Sequence, residues 1–285
     1  MAINAADVKR LRDLTDAPMM ECKAALEEAG GDFDRAVQIL REKGAAAAAK
    51  RTDRATNAGI AKFVTSGDGK QAVGVVIECE TDFVALNPNF REMVDKIANG
   101  LLAYSVEDVN NRANDLEVDG QTVAAHIEQA VGVIRENIKL TKAVKLESDG
   151  VIAVYNHRTG EAESTQAAAV DASGDAGNLK DIAFKVAVQV VGFKAEFLNK
   201  SEVSPELIAQ EIETETNRAV NEGKPAEMAA KIAEGRVNKE FFKTRVLQEQ
   251  PFYEDQNKST SQWLGEAAQG GKVEINRFVR LVVGG

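Results

Sequence analysis

The sequence has few cysteines and no long apolar run. Two cysteines occur among its 285 residues, Cys22 and Cys79, and they lie far apart in the chain. Two widely separated thiols do not form a disulfide framework, so we expect a reducing, cytoplasmic setting. No apolar run approaches the roughly 20 residues of a membrane-spanning helix, and the start of the chain lacks the apolar stretch of a signal peptide. The sequence therefore predicts a cytoplasmic protein without a membrane partner.

The signatures of covalent catalysis are also missing. The two histidines, His126 and His157, do not occur in an HExxH or cysteine-rich context, so no metal site is predicted. The chain contains neither the G-x-S-x-G motif of hydrolases nor the G-x-G-x-x-G motif of dinucleotide-binding proteins. We therefore expect a protein that has no catalytic residues and no cofactor and that is not an enzyme making or breaking covalent bonds.

Acidic residues outnumber basic ones, with 45 Asp and Glu against 35 Lys and Arg, which gives a net charge of −10. Binding to nucleic acid depends on Lys and Arg side chains that neutralise phosphates, so this balance disfavours a direct nucleic-acid partner. It is compatible with a soluble partner protein. At about 150 residues per domain, the chain length predicts two domains with room for a small extra module.

Helical periodicity marks the amino-terminal part of the chain. Apolar residues recur at helical spacing in three successive segments, which predicts a three-helix unit over residues 1–43. The second helix is predicted over residues 18–29, with Asp16 or Ala17 as its cap. Residues 44–57 carry five consecutive alanines and several basic residues without an apolar period, which predicts a frayed helical linker.

Two related units are predicted after the linker, over residues 58–145 and 146–285. Each begins with two strands joined by a glycine-containing turn and continues into an apolar helix. An internal duplication explains this repetition, although the same order of elements is also common in unrelated proteins. Within the first unit, residues 107–120 are mostly polar, which predicts a segment rich in loops.

The second unit contains a predicted helical hairpin. Residues 203–246 form two helical patterns, and the first becomes acidic and poor in apolar residues, as expected of an arm that projects into solvent. Residues 271–283 predict a final strand that rejoins the core. The fold class is therefore α+β, with a three-helix unit, two related antiparallel sheet–helix units and a projecting helical hairpin.

One stretch joins a strand pattern to a helix pattern. Residues 73–79 alternate as a strand does, and a helical apolar stripe follows Asn87. Phe83 lies between the two and fits neither. Rigid scaffolds often present functional side chains at such connections. The alternative is that Phe83 folds back as a core residue, with Thr81 or Asp82 capping the turn.

Four segments of the chain resemble the elongation factor Ts family. Residues 79–85, which read Cys-Glu-Thr-Asp-Phe-Val-Ala, resemble the family's signature. A second segment, residues 11–26, resembles its amino-terminal signature. The third leads from Glu136-Asn137-Ile138, where Arg135 takes the place of a family glycine, to Tyr155-Asn156-His157. The fourth joins Gly223-Lys224-Pro225 to Gln250-Pro251-Phe252 and resembles the family's projecting hairpin and the segment after it.

The resemblance implies a surface on the amino-terminal unit. In this family that unit is similar in fold to ubiquitin-associated domains. It docks on the nucleotide-binding domain of elongation factor Tu through positions that match Leu11, Met19 and Met20. The alternative for the two methionines is that both fill the core, as methionine often does. Adjacent helical residues point about 100° apart, so at least one is expected to be exposed.

The resemblance also implies a loop that promotes nucleotide exchange. It assigns contact with the partner to Thr81, Asp82, Phe83 and Val84. The phenylalanine that matches Phe83 inserts between two helices of elongation factor Tu near its magnesium site, and the aspartate that matches Asp82 helps to position the loop. The implied function is to bind elongation factor Tu in its GDP-bound and nucleotide-free forms and to promote GDP release, so that GTP can rebind.

Two further positions are assigned to the partner by resemblance. His157 belongs to the Tyr-x-His segment, and Gln189 occupies a helix position at which some members carry a histidine that touches the partner. An amide can form hydrogen bonds but does not titrate near neutral pH. A different reading of the whole chain is an adaptor, which would use the three-helix unit to bind a helical or ubiquitin-like protein without exchange activity.

Overall fold

Three helices come first along the chain. The computed structural model describes residues 3–15, 17–49, 51–158 and 163–285. The helices are α1 (Ala5–Thr15), α2 (Met19–Glu28) and α3 (Phe33–Ala49). Pro18 is the residue that caps α2, without a side-chain hydrogen bond, so the predicted start is one residue early and Ala17 is not the cap. The other predicted cap, Asp16, lies outside the described residues.

The third helix continues into the predicted linker. α3 passes Gly44 without a break and ends at Ala49, and residues 51–57 then lead into the first strand without forming a helix or a strand. Gly44 lies against Gly132 of a later helix. The first part of the linker is therefore an extension of α3 that packs on the rest of the protein, because alanine favours the helix and glycine permits a close approach.

The first sheet has the strand order β1-β2-β5 and is antiparallel throughout. Its strands are β1 (Ala58–Thr65), β2 (Gln71–Cys79) and β5 (Ile138–Glu147). Between β2 and β5 the chain forms α4 (Asp82–Ala85), α5 (Pro88–Gly100), α6 (Val106–Arg112), β3 (Glu117–Val118), β4 (Gln121–Thr122) and α7 (Val123–Ile134). One apolar core joins a face of this sheet to α5 and α7.

The prediction of loops over residues 107–120 is wrong. Ser105 caps α6 by accepting a hydrogen bond from the Asp108 amide, and the short β3–β4 hairpin follows. The few apolar residues there are all buried in the first core, namely Val109, Ala113, Leu116 and Val118. A capped helix with one buried position per turn gives little apolar periodicity, so the polar composition of this segment was misleading.

The second sheet has the strand order β10-β7-β6 and is also antiparallel. Its strands are β6 (Val151–His157), β7 (Gln166–Gly174) and β10 (Val273–Val282), and α8 (Leu179–Gly192) covers one face. The predicted strands, the predicted helix and the predicted final strand are confirmed, whereas the predicted turn around residue 160 lies outside the described residues. Both sheets place their last strand beside the second strand of the hairpin, which is the arrangement that a duplication predicts.

The two sheets pack face to face through a core of small and branched side chains. Gly74 of β2 shows how close this contact is. A Cβ added there would lie 2.4 Å from the Phe63 ring and 2.7 Å from Leu281 of β10. Side chains in contact are normally about 3.5 Å or more apart. β2 is therefore buried on both faces, between the helices on one side and the second sheet on the other.

A helical hairpin leaves the second unit, as predicted. It consists of α9 (Pro205–Asn221) and α10 (Ala226–Arg236), which pack against each other and are joined by a turn with Gly223 at φ +81°. The Nη2 atom of Arg236 lies 2.6 Å from Glu222 Oε2, and this guanidinium lowers the pKa of the Glu222 carboxyl. A π-helical segment, Val237–Phe242, then returns the chain to the base of the hairpin.

The segment between the hairpin and the final strand was not predicted in detail. It contains α11 (Lys243–Arg245), β8 (Pro251–Phe252), β9 (Asp255–Ser259) and α12 (Thr260–Ala267). Antiparallel sheets together with separate helices give the α+β class. Among the described residues, no helix combines the length and the apolarity that crossing a bilayer requires.

Candidate functional site

The connection after β2 is a single helical turn. Thr81 has extended backbone angles, and α4 then turns the chain over Asp82–Ala85. The side chain of Asn87 caps the next helix by accepting a hydrogen bond from the Asn89 amide at 2.9 Å, and Pro88 occupies the first helical position. The sequence builds this corner with local features that favour it, namely an extended residue, a cap and a proline.

Phe83 and Val84 differ in exposure on this turn. Phe83 is 80% exposed, whereas Val84 is 8% exposed and belongs to the first core. Successive helical residues are separated by about 100°, so burying one directs its neighbour away from the core. The interpretation of Phe83 as a core residue is wrong. Leu86, which is also exposed, extends the apolar surface around Phe83.

Two carboxylates hold the start of the turn. Glu136 accepts hydrogen bonds from the Thr81 amide at 3.0 Å and from the Thr81 hydroxyl at 2.7 Å. Glu80 accepts one from the Asn137 amide at 2.7 Å. The Thr81 side chain does not cap α4, and its hydroxyl bonds to Glu136 instead. We call these four residues (Glu80, Thr81, Glu136 and Asn137) the carboxylate brace.

Asn137 fixes the other side of the brace. Its side chain is buried and donates a hydrogen bond of 2.6 Å to the Arg54 carbonyl, in the segment that follows α3. Arg135, two residues earlier, caps α7 in the left-handed conformation at φ +69°. A glycine suits this conformation, which explains why the family segment carries one. Arg135 also forms an ion pair with Glu21 of α2 and so links the three-helix unit to the brace.

Asp82 is exposed at the start of α4, where a negative charge is favoured by the free amides of the helix terminus. Cys79 lies on the opposite side of the connection, in the core. Its thiol donates a hydrogen bond to the Thr81 carbonyl at 3.1 Å. Burial, and secondarily the negative charge of Glu136, raises the pKa of the Cys79 thiol to about 12. The thiol is therefore protonated at neutral pH and belongs to the packing of the turn.

A second exposed apolar surface lies on the three-helix unit. Met20 is 73% exposed and Met19 is 44% exposed, at the start of α2, and Leu14 of α1 is exposed as well. The interpretation of both methionines as core residues is wrong. Leu11 is 0% exposed and packs in the centre of the three helices, so the surface does not include it. We correct the predicted contact at Leu11 for this reason and retain Met19 and Met20 as candidates.

The two remaining predicted contacts lie in the second unit. His157, at the end of β6, is half-buried, and its Nδ1 lies 2.9 Å from the Tyr155 hydroxyl. Gln189 is fully buried in α8, where it donates to the Pro251 carbonyl and accepts a hydrogen bond of 2.9 Å from the Tyr253 amide. A side chain with these partners supports the fold. We therefore correct the prediction that Gln189 touches a partner.

Sequence reasoning did not find the role of Glu80, Glu136 or Leu86. Glu136 was part of a recognised segment, but nothing local indicates that its side chain reaches Thr81. The only signal is the register of β2 and β5, in which Cys79 pairs with Ile138 and places the next residues of the two strands opposite each other. In the described part of the chain, no group of His, Cys, Asp and Glu side chains is arranged to hold a metal ion.

The fold and this site are those expected of a protein that binds another protein. An aromatic side chain held outward on a braced turn, with a second apolar surface on a separate helical unit, is a surface suited to binding another protein. The family model described as elongation factor Ts matches residues 80–285. Elongation factor Ts from Deinococcus deserti is 39% identical over 97% of this chain and 98% of that protein.

Other relatives are similar in sequence over nearly the whole chain. Elongation factor Ts from Rhodococcus opacus is 42% identical over 98% of this chain and 97% of that protein. The protein of the same name from Aquifex aeolicus is 34% identical over 100% of this chain and 99% of that protein. The chain belongs to the elongation factor Ts family. This membership supports a role in translation elongation during protein biosynthesis.

Proposed function

We propose that this protein binds elongation factor Tu in its GDP-bound and nucleotide-free forms and promotes GDP release, which allows GTP to rebind. The observation that carries the proposal is Phe83, 80% exposed on a turn that the core and the carboxylate brace hold in place. The protein acts in the cytoplasm as an exchange factor and makes or breaks no covalent bond.

Exchange of this kind is a coupling between two ligands of one protein. If the factor weakens GDP binding by a given ratio, GDP weakens the binding of the factor by the same ratio. Phe83 produces this coupling when it fits the nucleotide-free partner better than the loaded one. Its target on the partner is the region around the magnesium ion and the phosphates of GDP, because disturbing those contacts loosens the nucleotide.

One aromatic side chain does not supply the whole effect. Burial of a phenylalanine contributes about 1.5–3 kcal/mol. Each tenfold loss of nucleotide affinity requires about 1.4 kcal/mol. Weakening a tightly bound nucleotide by several powers of ten therefore needs a second contact. The surface with Met19 and Met20 supplies it, since both side chains are exposed on a unit that Arg135 and Glu21 connect to the braced turn.

The rigidity of the turn increases the net binding free energy that each contact contributes. Val84 is buried, and Thr81 forms two hydrogen bonds with one carboxylate. A side chain that is already in its binding position loses less conformational freedom when it binds. Phe83 therefore reaches the partner without first ordering its own backbone.

The decisive experiment measures the release of fluorescent GDP from elongation factor Tu after mixing with excess unlabelled GDP. The protein should accelerate release in a saturable manner. Since its target is the magnesium and phosphate region, the acceleration should shrink when a chelator has already removed magnesium. Release that stays at its spontaneous rate at every concentration of the protein would contradict the proposal.

The exposed surface of Leu14, Met19 and Met20 also fits an adaptor that binds a partner without nucleotide exchange. Nucleotide dependence separates the two functions. An exchange factor binds nucleotide-free elongation factor Tu more tightly than the GDP-bound form, as reciprocity requires. An adaptor does not discriminate between these forms and leaves the GDP release rate unchanged.

A further inference from the structure

The carboxylate brace lies where the backbone pairing of two strands ends. β2 and β5 are paired up to Cys79 and Ile138. If the same register continued, Glu80 would lie opposite Asn137 and Thr81 opposite Glu136. These are the pairs that the two carboxylates connect, at 2.7 Å from the Asn137 amide to Glu80 and at 3.0 Å from the Thr81 amide to Glu136. Side chains therefore replace the backbone ladder at its last two positions.

Glu136 matches the groups that it holds. The Thr81 amide is a donor, and its hydroxyl is oriented as a second donor toward the other oxygen of the same carboxylate. An ionised carboxylate offers acceptors and no donor, so it satisfies both groups at once. Hydrogen bonds to a charged acceptor are stronger than those between neutral groups.

The turn that carries Phe83 is held at three points. Glu136 holds its beginning, the buried side chain of Val84 holds its middle, and Arg91 Nε donates to the Ala85 carbonyl at 3.4 Å at its end. Phe83 lies between the first point and the second. Loss of Glu136 would free the first residue of the connection while leaving the core and the following helix in place.

We infer that Glu136 is a positioning residue for nucleotide exchange: by fixing Thr81 it sets the place from which Phe83 is presented. This inference rests on the proposed function. Glu136 need not touch the partner, since it acts through the conformation of the turn. The inference therefore predicts a larger effect on the rate of GDP release at saturation than on the concentration of factor that half-saturates the partner.

The test compares Glu136→Ala with Glu136→Gln and with Glu92→Ala as a matched control. Glu92 is an exposed glutamate on α5, and its replacement removes the same charge without touching the brace. Glutamine can still accept a bond from the Thr81 amide and can donate to the Thr81 hydroxyl, because a hydroxyl is both donor and acceptor. It should therefore rescue most of the activity if geometry is what matters.

Two readouts are measured on the full chain. In the free protein, hydrogen exchange of the Thr81 and Ala85 amides, which are hydrogen-bonded at this turn, should accelerate about tenfold to a hundredfold in Glu136→Ala, the scale of a lost charged hydrogen bond. With elongation factor Tu, the GDP release rate at saturation should fall at least about tenfold, while the half-saturating concentration shifts less than about threefold. Glu136→Gln and Glu92→Ala should stay within about threefold of the wild type in both readouts.

The outcomes separate this inference from the proposed function. If Glu136→Ala shows the amide hydrogen exchange and the GDP release rate of the wild type, the inference is overturned while the proposed function stands. If Glu136→Gln changes both readouts as much as Glu136→Ala does, the inference is overturned as well. If the wild-type protein does not accelerate GDP release, the proposed function fails, and the exchange role of Glu136 fails with it. If Glu136→Ala does not fold, Thr81→Val replaces it in the same two readouts. This variant removes only the hydroxyl, so its expected effect on them is smaller.

Discussion

The backbones of Gly44 and Gly132 meet where α3 crosses α7. A Cβ added at Gly132 would lie 3.0 Å from the Cα of Gly44, whereas a Cβ added at Gly44 would lie 3.6 Å from the Cα of Gly132. The first distance is shorter than an ordinary contact between carbon atoms, and the second is not. This crossing places the three-helix unit against the helix that Arg135 caps, beside the carboxylate brace. The two exposed apolar surfaces are thus carried by one connected frame.

The asymmetry of this crossing predicts different effects of the same substitution. Alanine at either position favours the helix by up to about 1 kcal/mol relative to glycine. Gly44→Ala should therefore be neutral or stabilising, whereas Gly132→Ala has to push α3 away from α7 and should weaken its docking by about 1 kcal/mol. Limited trypsin cleavage after Arg51 and Arg54, which follow α3, should be faster in Gly132→Ala and unchanged in Gly44→Ala. Equal cleavage in the two variants would contradict the role assigned to this contact.

Substitution of the neighbouring residues Phe83 and Val84 should affect different properties of the protein: GDP release for Phe83 and stability for Val84. Phe83→Ala removes a ring that is 80% exposed, so the free energy of unfolding should change by less than about 0.5 kcal/mol. The acceleration of GDP release should nevertheless fall by at least about tenfold, since ~1.5–3 kcal/mol of burial on the partner is lost. Val84→Ala should lower the free energy of unfolding by about 1–2 kcal/mol because it leaves a cavity in the core.

Stopped-flow release of fluorescent GDP and denaturant unfolding separate these two effects. Leu86→Ala tests the rest of the same exposed apolar surface, because Leu86 is exposed next to the turn and lies outside the assigned loop. A Phe83→Ala variant that releases GDP as fast as the wild type at saturation would remove Phe83 from the proposed mechanism.

Sequence patterns were most informative where one face of an element is buried. The helical stripe after Asn87 predicted α5, because burial on one side imposes a period on the sequence. The pattern of residues 73–79 predicted β2 as a strand but not its burial on both faces. The contact between the sheets was not predictable in this way. Gly74 fits between Phe63 and Leu281 only after β10, about 200 residues later, has been placed against β2.

The site was predictable in part. The mismatch of Phe83 with both flanking patterns already indicated a special position. Leu11 and Gln189 were assigned to the partner by resemblance, which compares positions and contains no information about burial in this chain. In the structure, Leu11 packs with Val8 in the core of the three-helix unit. The pairing of Glu136 with Thr81 joins residues 55 positions apart, and it depends on a strand register that local patterns do not specify.

The amino-terminal surface gives a prediction with an internal control. Replacing both Met19 and Met20 with alanine should weaken binding of nucleotide-free elongation factor Tu about tenfold or more and leave thermal unfolding nearly unchanged, since both side chains are exposed. Leu11→Ala should instead destabilise the three-helix unit by about 2–5 kcal/mol, as expected for a fully buried leucine. Titration calorimetry and circular dichroism distinguish the two results. Loss of thermal stability in the double methionine variant would favour a core role for these residues after all.

The Cys79 thiol predicts how the turn responds to alkaline pH. Burial, with a smaller contribution from the charge of Glu136, raises its pKa from 9.0 to about 12. A raised pKa means that the folded protein holds this proton more tightly than the unfolded chain. The resulting stabilisation is complete below pH 9 and is lost as the pH rises from 9 to about 12, because the unfolded chain ionises first. Tyr253, whose pKa burial also raises to about 12, adds to the same slope.

Two measurements test this response. At pH 8.5, a thiol reagent should label Cys79 in a folded Cys22→Ala background at least about a thousandfold more slowly than in the unfolded chain, because the thiol is buried and its raised pKa lowers the thiolate fraction. The free energy of unfolding should decline above pH 9, and it should decline less steeply in Cys79→Ala, in which Tyr253 and Cys22, whose pKa burial also raises, still titrate. Fast labelling of the folded protein would show that the turn opens in solution. Since Cys79 bonds to the Thr81 carbonyl, such opening would also remove the rigidity on which the presentation of Phe83 depends.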